Sequence, residues 1–186
     1  PRAPSRYNAP RSAVELSMSS IYSRNRERID PIADRYFLVR DGQPFPLTGA
    51  VPENATPPRH PTKDERGTRE IPVTDRVLIE PADIPSHGER IWLKGLGAVR
   101  LVRDALQWTG DDIDVVREGD VPVVHWVPES PTVDVTVRGV TAEFTGQAEP
   151  AFAETAVDEL IQFERVGFGR VDSQDDGSAT VYFSHD

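Results

Sequence analysis

Four histidines, His60, His87, His125 and His185, are the side chains best suited to acid–base chemistry or metal ligation. No two of them have the spacing of a zinc site, and the absence of cysteine excludes thiolate ligands and disulfides. His125, beside Trp126 in an apolar run, reads as a structural residue. The run Asp172-Ser173-Gln174-Asp175-Asp176-Gly177 resembles a calcium loop, but Phe183 stands at the twelfth position where a bidentate Glu is needed. It is read as a solvated hairpin turn. Gly95-Leu96-Gly97 lies between strand-like runs with no helix after it, so it is not a dinucleotide fingerprint.

What remains is arginine. The chain of 186 residues holds 19 Arg but only 2 Lys (Lys63 and Lys94) against 31 acidic residues, for a net charge of −10. That balance argues against a simple nucleic-acid binder, because phosphate affinity comes from basic residues. An acidic surface with Arg retained is, however, what a protein of a very salty cytoplasm is expected to carry. At about 1 M salt the Debye length falls to roughly 3 Å, and a negative surface stops repelling RNA at long range. Binding then rests on stacking, fitted hydrogen bonds and a few well-placed Arg.

The elements that must position these groups are mostly strands. Residues 1–19, rich in Pro, Ser and Arg, read as a lead-in. Ser19 or Ser20 caps a short helix over Ile21 to Arg28, and Asp30-Pro31 ends it, since a residue before proline is pushed out of the α region. Strand-like runs follow at Arg35–Val39, Glu70–Glu80, Glu89–Lys94, Ala98–Val102, Asp112–Val116, Val121–Val127 and Val133–Val137. Three more come at Leu160–Val166, Gly169–Asp172 and Ala179–Ser184. Turn signals separate them, among them Gly95, Gly110, Glu118-Gly119-Asp120, Gly139 and Asp176-Gly177. One late helical candidate spans Ala151 to Leu160. Short β-branched runs at this spacing predict a mainly β chain built as barrels or sandwiches. No internal repeat is evident. There is no apolar run near 18 residues and no charged-then-apolar leader, which argues against membrane spanning and secretion. The chain opens on Pro1 rather than Met and is expected to be a piece of a longer or processed protein.

Four blocks, in order, resemble the C-terminal β-barrel region shared by archaeal glutamyl-tRNA synthetases and glutaminyl-tRNA synthetases. The first is Asn25-Arg26-Glu27-Arg28-Ile29-Asp30-Pro31 leading into the Tyr36 strand. The second is His60-Pro61-Thr62-Lys63, Gly67-Thr68-Arg69-Glu70-Ile71-Pro72 and Ile79-Glu80-Pro81-Ala82-Asp83. The third is Val124-His125-Trp126-Val127. The fourth is Ala148-Glu149-Pro150 with Ile161-Gln162-Phe163-Glu164-Arg165-Val166-Gly167-Phe168. The stretch Arg28 to Phe37 is more similar to the archaeal glutamyl enzymes than to the glutaminyl ones. The resemblance implies two β-barrels that grip the anticodon loop, with a short N-terminal helix. The proximal barrel would comprise residues 20–85 plus 145–186, and the distal barrel would be inserted at 86–144.

The resemblance also implies roles. The family's readers of the middle anticodon uridine fall on Arg24, Gln162 and Arg165. Uridine's pairing edge runs acceptor, donor, acceptor, so a reader needs two donors around an acceptor, which Arg and Gln supply. A cytidine would leave buried partners unpaired, at about 1–3 kcal/mol by analogy with DNA readout. On a regular strand Gln162 and Arg165 point to opposite faces, so the strand must end or bend near Glu164–Gly167 for both to reach one base. Lys94 lies where the glutaminyl family has a basic residue near the first anticodon base, and Trp92 replaces another basic residue there. Trp92 is then either core or a stacking surface. The loop Ile84-Pro85-Ser86-His87 is shorter than its glutaminyl counterpart and lacks that family's reader of the third base.

Met18-Ser19-Ser20 lacks the lysine of the synthetase signature loop, and no His-Gly-His-type ATP motif occurs. The chain is therefore expected to hold no catalytic residue, cofactor or metal of its own, with ATP used by the full-length ligase. The implied partners are the glutamate tRNA, with the glutamine tRNA as second candidate, and a catalytic domain of the same chain. A cytoplasmic monomer is expected. Two rivals are the same region of a glutaminyl enzyme and a β-barrel interaction module that has lost tRNA binding.

Overall fold

The computed structural model describes residues 23–117 and 121–185. Residues 23–29 form helix α1, and Asp30 closes it by donating its N–H to the Arg26 carbonyl just before Pro31. The predicted cap at Ser19 or Ser20, the helix start at Ile21-Tyr22, the lead-in 1–19 and the turn at Glu118-Gly119-Asp120 lie outside the described residues.

Strands follow in two series. The first is β1 (Asp34–Tyr36), β2 (Leu38–Val39), β3 (Gln43–Thr48), β4 (Asn54–Ala55), β5 (Ile71–Pro72), β6 (Arg76–Ile79), β7 (Arg90–Leu93), β8 (Gly97–Val102) and β9 (Ala105–Gly110). A four-residue helix, α2 (Asp114–Arg117), separates it from β10 (Val123–Val124), β11 (Val127–Pro128), β12 (Val133–Arg138), β13 (Glu143–Ala148), β14 (Leu160–Phe163), β15 (Gly167–Asp175) and β16 (Ser178–His185).

Two seven-stranded sheets result, in the orders β1-β14-β15-β16-β12-β13-β2 and β10-β7-β8-β9-β3-β6-β11. In each, the two end strands are consecutive pieces of one chain segment, so the sheet curls nearly into a closed barrel. The fold is mainly β, as predicted. Side chains alternate in and out of each sheet, as the period of two requires. Val133, Val135 and Val137 of β12 point inward to Tyr36, Ile161 and Phe163 in the first barrel. Ile91, Leu93, Val99, Leu106 and Trp126 fill the second.

The two orders are the same wiring. Each position in one sheet has its counterpart in the other, including the parallel pairs β1–β14 and β10–β7 and the parallel pairs β12–β16 and β3–β9. The chain therefore contains a topological repeat that its sequence did not announce. Each repeat contributes its opening segment (β1–β2 or β10–β11) to the barrel formed mainly by the other. The sequence echo is confined to a few positions, Glu80-Pro81-Ala82 against Glu149-Pro150-Ala151 being the clearest. Each triplet opens a 3₁₀ turn with Pro at its first residue, Pro81–Asp83 and Pro150–Glu154.

Several expectations change. The barrel edges at 86–144 do not follow the sheets: β3 and β6 join the β7–β9 hairpins, whereas β12 and β13 belong to the other barrel. The crossover pairings that decide this join segments far apart in sequence, where local pattern carries no signal. The candidate helix at Ala151–Leu160 shrinks to the 3₁₀ turn Pro150–Glu154, and Leu160 already belongs to β14. Glu149 provides no side-chain cap to extend it. The run Asp112–Val116, predicted as a strand, contains the start of α2, whose first turn Asp112 helps to hold by accepting from the Asp114 N–H at 3.0 Å.

Candidate nucleic-acid interface

The tips of two equivalent hairpins face each other between the barrels. In one, β7 turns through Lys94-Gly95-Leu96 into β8. In the other, β14 turns through Glu164-Arg165-Val166 into β15. Both turns close alike, with Leu96 N–H donating to Leu93 O at 2.9 Å and Val166 N–H to Phe163 O at 3.0 Å. The middle residue of each is left-handed, Gly95 at φ 77° and Arg165 at φ 66°. A non-glycine residue pays roughly 1–2 kcal/mol for that conformation, so Arg165 is held there by its surroundings. The strand ends at Phe163, just ahead of this turn, which is the break that a shared role for Gln162 and Arg165 needs. Strand alternation stops at Phe163, and Arg165 is aimed by the turn rather than by the pleat.

Arg165 reaches across to the other barrel. Its Nη1 and Nη2 donate to Oδ2 and Oδ1 of Asp83 at 2.5 and 3.0 Å, with about half of the Arg165 side chain still exposed. The hydrogen bond to Asp83 is the main reason that the Arg165 pKa is raised.

Gln162 lies on the outer face of β14, opposite the inward Ile161 and Phe163, and is in register with Arg35 on β1 and Phe168 on β15. Among the described residues, its buried Oε1 accepts no hydrogen bond and the buried Nε of Arg35 donates none. A buried acceptor and a buried donor thus belong to residues paired in register on neighbouring strands. An orphaned buried polar atom costs about 1–3 kcal/mol, so such a pair calls for a partner. Arg35 is oriented by Asp30, which takes its Nη2 at 2.6 Å. Beside them Phe168 stacks on His185, with ring centroids 5.1 Å apart.

The other predicted residues sit differently. Arg24 is exposed on α1 with no ion pair among the described residues. Lys94 is already paired, its Nζ with Glu164 Oε2, inside a cluster between the barrels. In that cluster Arg69 is fully buried and donates from Nε to Glu149 at 2.5 Å, while Glu149 also accepts the Phe37 N–H at 2.8 Å. Glu164 meets His125 Nε2 at 3.5 Å and Arg69 Nη2 at 3.8 Å. Phe37 stacks on His125 at 4.7 Å and lies under the Arg69 guanidinium. Burial alone would raise the Glu164 pKa, but the hydrogen bonds from His125 and Lys94 and their charges outweigh it and hold it down to about 2. For Glu149 burial wins over Arg69, and its pKa is raised. His125 is thus the structural residue expected. Trp92 is 7 % exposed and lies outside the apolar cluster that fills its barrel, so it offers no open ring to a base.

Sequence reasoning missed Asp83, Arg35 and a pair of cations, Arg90 and Arg100. These two are directly opposite each other on β7 and β8, both exposed, with no ion pair among the described residues. Like charges facing each other are destabilising unless an anion covers them. The β7–β8 register would have revealed the pair, but no local pattern fixes it. Among the described residues no group of His, Asp and Glu could hold a metal ion, and no helix is long and apolar enough to cross a membrane.

Two nearly closed β-barrels thus bring together matched hairpin turns, one bearing Lys94 and the other Arg165. Residues 33–116 of the chain match the family described as tRNA synthetases class I (E and Q), anti-codon binding domain. Its relatives include the glutamate–tRNA ligases of Natronomonas pharaonis (52 % identical over 94 % of this chain), Haloquadratum walsbyi (49 % over 92 %) and Halobacterium salinarum (47 % over 94 %). The chain spans 30, 31 and 32 % of those proteins, respectively.

Proposed function

We propose that this chain reads the anticodon loop of the glutamate tRNA, with uridine at the middle position, as the C-terminal part of an ATP-dependent glutamate–tRNA ligase. The buried Oε1 of Gln162, without a partner among the described residues, carries the reading. It can accept the uridine N3–H, while Arg165 and Arg24 donate N–H groups to the flanking uridine carbonyl oxygens. Cytidine has no proton at N3 and would leave that acceptor buried and unmatched. Relatives at about half identity that are named glutamate–tRNA ligases favour the glutamate over the glutamine tRNA. The exposed Arg90–Arg100 pair is a better cation for the outer part of the loop than Lys94, whose charge Glu164 already holds. Adenylate formation and transfer belong to a catalytic domain elsewhere in the ligase. The ligase acts as a cytoplasmic monomer, and its acidic surface suits concentrated salt.

Binding of the chain to glutamate-tRNA anticodon stem-loops at molar potassium chloride tests this, comparing middle uridine with middle cytidine for the wild type, Gln162→Ala and Arg165→Ala. A wild-type preference for uridine of roughly fivefold or more, reduced in both variants, is expected. Equal binding of the two loops by the wild type would overturn the assignment.

A further inference from the structure

Asp83 has no place in the reading above, yet it holds one of the proposed readers. We propose that Asp83 is the positioning residue of Arg165, fixing which edge of its guanidinium is presented to the RNA. The inference rests on the uridine reading and adds to it the group that makes the arginine selective.

An arginine carries five N–H donors in a planar fork. Asp83 takes one from each Nη, at 2.5 and 3.0 Å. The edge formed by Nε–H and the neighbouring Nη–H stays free, and it is itself a two-donor edge. An Arg side chain loose in solvent would present either edge to any acceptor, a phosphate as readily as a base. Locked by a bidentate carboxylate, it offers one edge in one plane. Selectivity between bases needs that fixed plane, because uridine and cytidine differ only in which edge atoms donate and accept.

Both ends of the pair are anchored. Asp83 ends a 3₁₀ turn that opens at Pro81 and closes by its own N–H donating to Glu80 O at 2.9 Å. Its side chain is 15 % exposed, against 47 % for Arg165, so the carboxylate sits on the protein side and the guanidinium on the solvent side. Arg165 leaves a left-handed turn closed by the Val166–Phe163 hydrogen bond. The two turns belong to different barrels, so the pair also ties the orientation of Arg165 to the barrel opposite Gln162. A competing role is conceivable on charge alone, with Asp83 masking the arginine until RNA displaces it. The free Nε edge removes the need for displacement.

The test measures affinities for middle-uridine and middle-cytidine stem-loops at molar potassium chloride for the wild type, Asp83→Asn, Asp83→Glu, Arg165→Ala and the double variant Asp83→Asn/Arg165→Ala. Thermal midpoints are recorded alongside. Asp83→Asn replaces one acceptor with a donor facing an Nη, so the fork loosens. Its uridine preference is expected to fall by roughly threefold or more, with cytidine-loop affinity unchanged or slightly stronger. Asp83→Glu, which keeps the bidentate acceptor, recovers part of the preference, and the double variant is no less selective than Arg165→Ala. A purely structural tie would lower the thermal midpoint and weaken both loops alike. Retained preference in Asp83→Asn, or equal tightening of both loops, would overturn the positioning role while leaving the uridine reading intact. An unchanged preference in Arg165→Ala would remove both.

Discussion

The two barrels share their wiring and differ at the tips of their matched hairpins. Where one turn reads Lys94-Gly95-Leu96, the other reads Glu164-Arg165-Val166, and where one strand carries Trp92 the other carries Gln162. The backbones are interchangeable: Glu89 and Glu159 each accept an N–H three residues upstream, from Ser86 and Ala156, at 2.8 and 3.0 Å. Gly88 and Asp158 are both left-handed before the strand. The contents are not interchangeable. A Cβ on Gly95 would lie 2.9 Å from the Pro57 side chain, so that turn is packed shut against its neighbour. The equivalent Arg165 is open to solvent and sends its side chain outward to Asp83. The two matched turns thus share one hydrogen-bond frame, while one tip is packed against Pro57 and the other carries the proposed reader.

The two equivalent glutamates sharpen the contrast most. Glu149 is fully buried against Arg69, while Glu80 accepts from Arg40 N and Nε at 3.1 and 3.3 Å near the surface. Removing one partner of a buried pair strands the other, at about 3–5 kcal/mol. Losing a near-surface hydrogen bond costs about 1 kcal/mol. In denaturant unfolding at fixed molar salt, Glu149→Ala is therefore expected to lose several times more stability than Glu80→Ala. Equal losses would mean that the barrels are energetically symmetric, and the contrast drawn from burial would fail.

The repeat explains what the sequence could and could not show. Strand periodicity was legible because one face of each strand is buried, as in Val133, Val135 and Val137. So were the Gly- and Asp-marked turns and the family blocks. The barrel boundaries were not, because β1–β2 and β10–β11 are exchanged between repeats by parallel pairing over more than a hundred and about thirty residues respectively, by the registers Asp34↔Ile161 and Val123↔Trp92. The proposed readers Gln162 and Arg165 could be named from resemblance. The neighbour of Gln162, Arg35, and the ion-pair partner of Arg165, Asp83, could not, since each is brought beside its reader only by the fold. Lys94 looked like a free cation for the same reason: Glu164, which neutralises it, is 70 residues away.

Acid should also separate the two turns. Glu164 has its pKa held down to about 2 by His125 and Lys94, while its positional counterpart is the cation Lys94 itself. A carboxylate whose folded pKa is depressed stabilises the fold above its unfolded value near 4.3, and that contribution is lost as pH falls toward 2. The full loss is about 3 kcal/mol at most. Glu149, with its pKa raised by burial, works in the opposite sense and favours protonation in the folded state. Comparing wild type with Glu164→Gln isolates the first term. Between pH 5 and pH 2 the wild type is expected to lose more stability than the variant, and parallel curves would show that the cluster between the barrels does not depend on the Glu164 charge.

The smallest effect concerns the outer faces of the two hairpins. On one, Arg90 faces Arg100; at the matching register of the other, Leu160 faces Arg170, whose Nη1 donates to Asp158 at 2.5 Å. Among the described residues, one face therefore keeps two cations without an ion pair, and the other does not. Such an arrangement costs stability in the free protein and is useful only where an anion arrives. Arg90→Glu turns the like-charge pair into an opposite-charge one, and stability is expected to rise by about 0.2–1 kcal/mol, less at high salt than at low. The same change should weaken stem-loop binding whichever base is in the middle, since charge at the periphery positions the loop without reading it. Leu160→Glu, at the matching position, should leave stem-loop binding unchanged. If Arg90→Glu raised stability and left RNA affinity unchanged, the two faces would be equivalent for the RNA, and the division of labour between the barrels would rest on the turn tips alone.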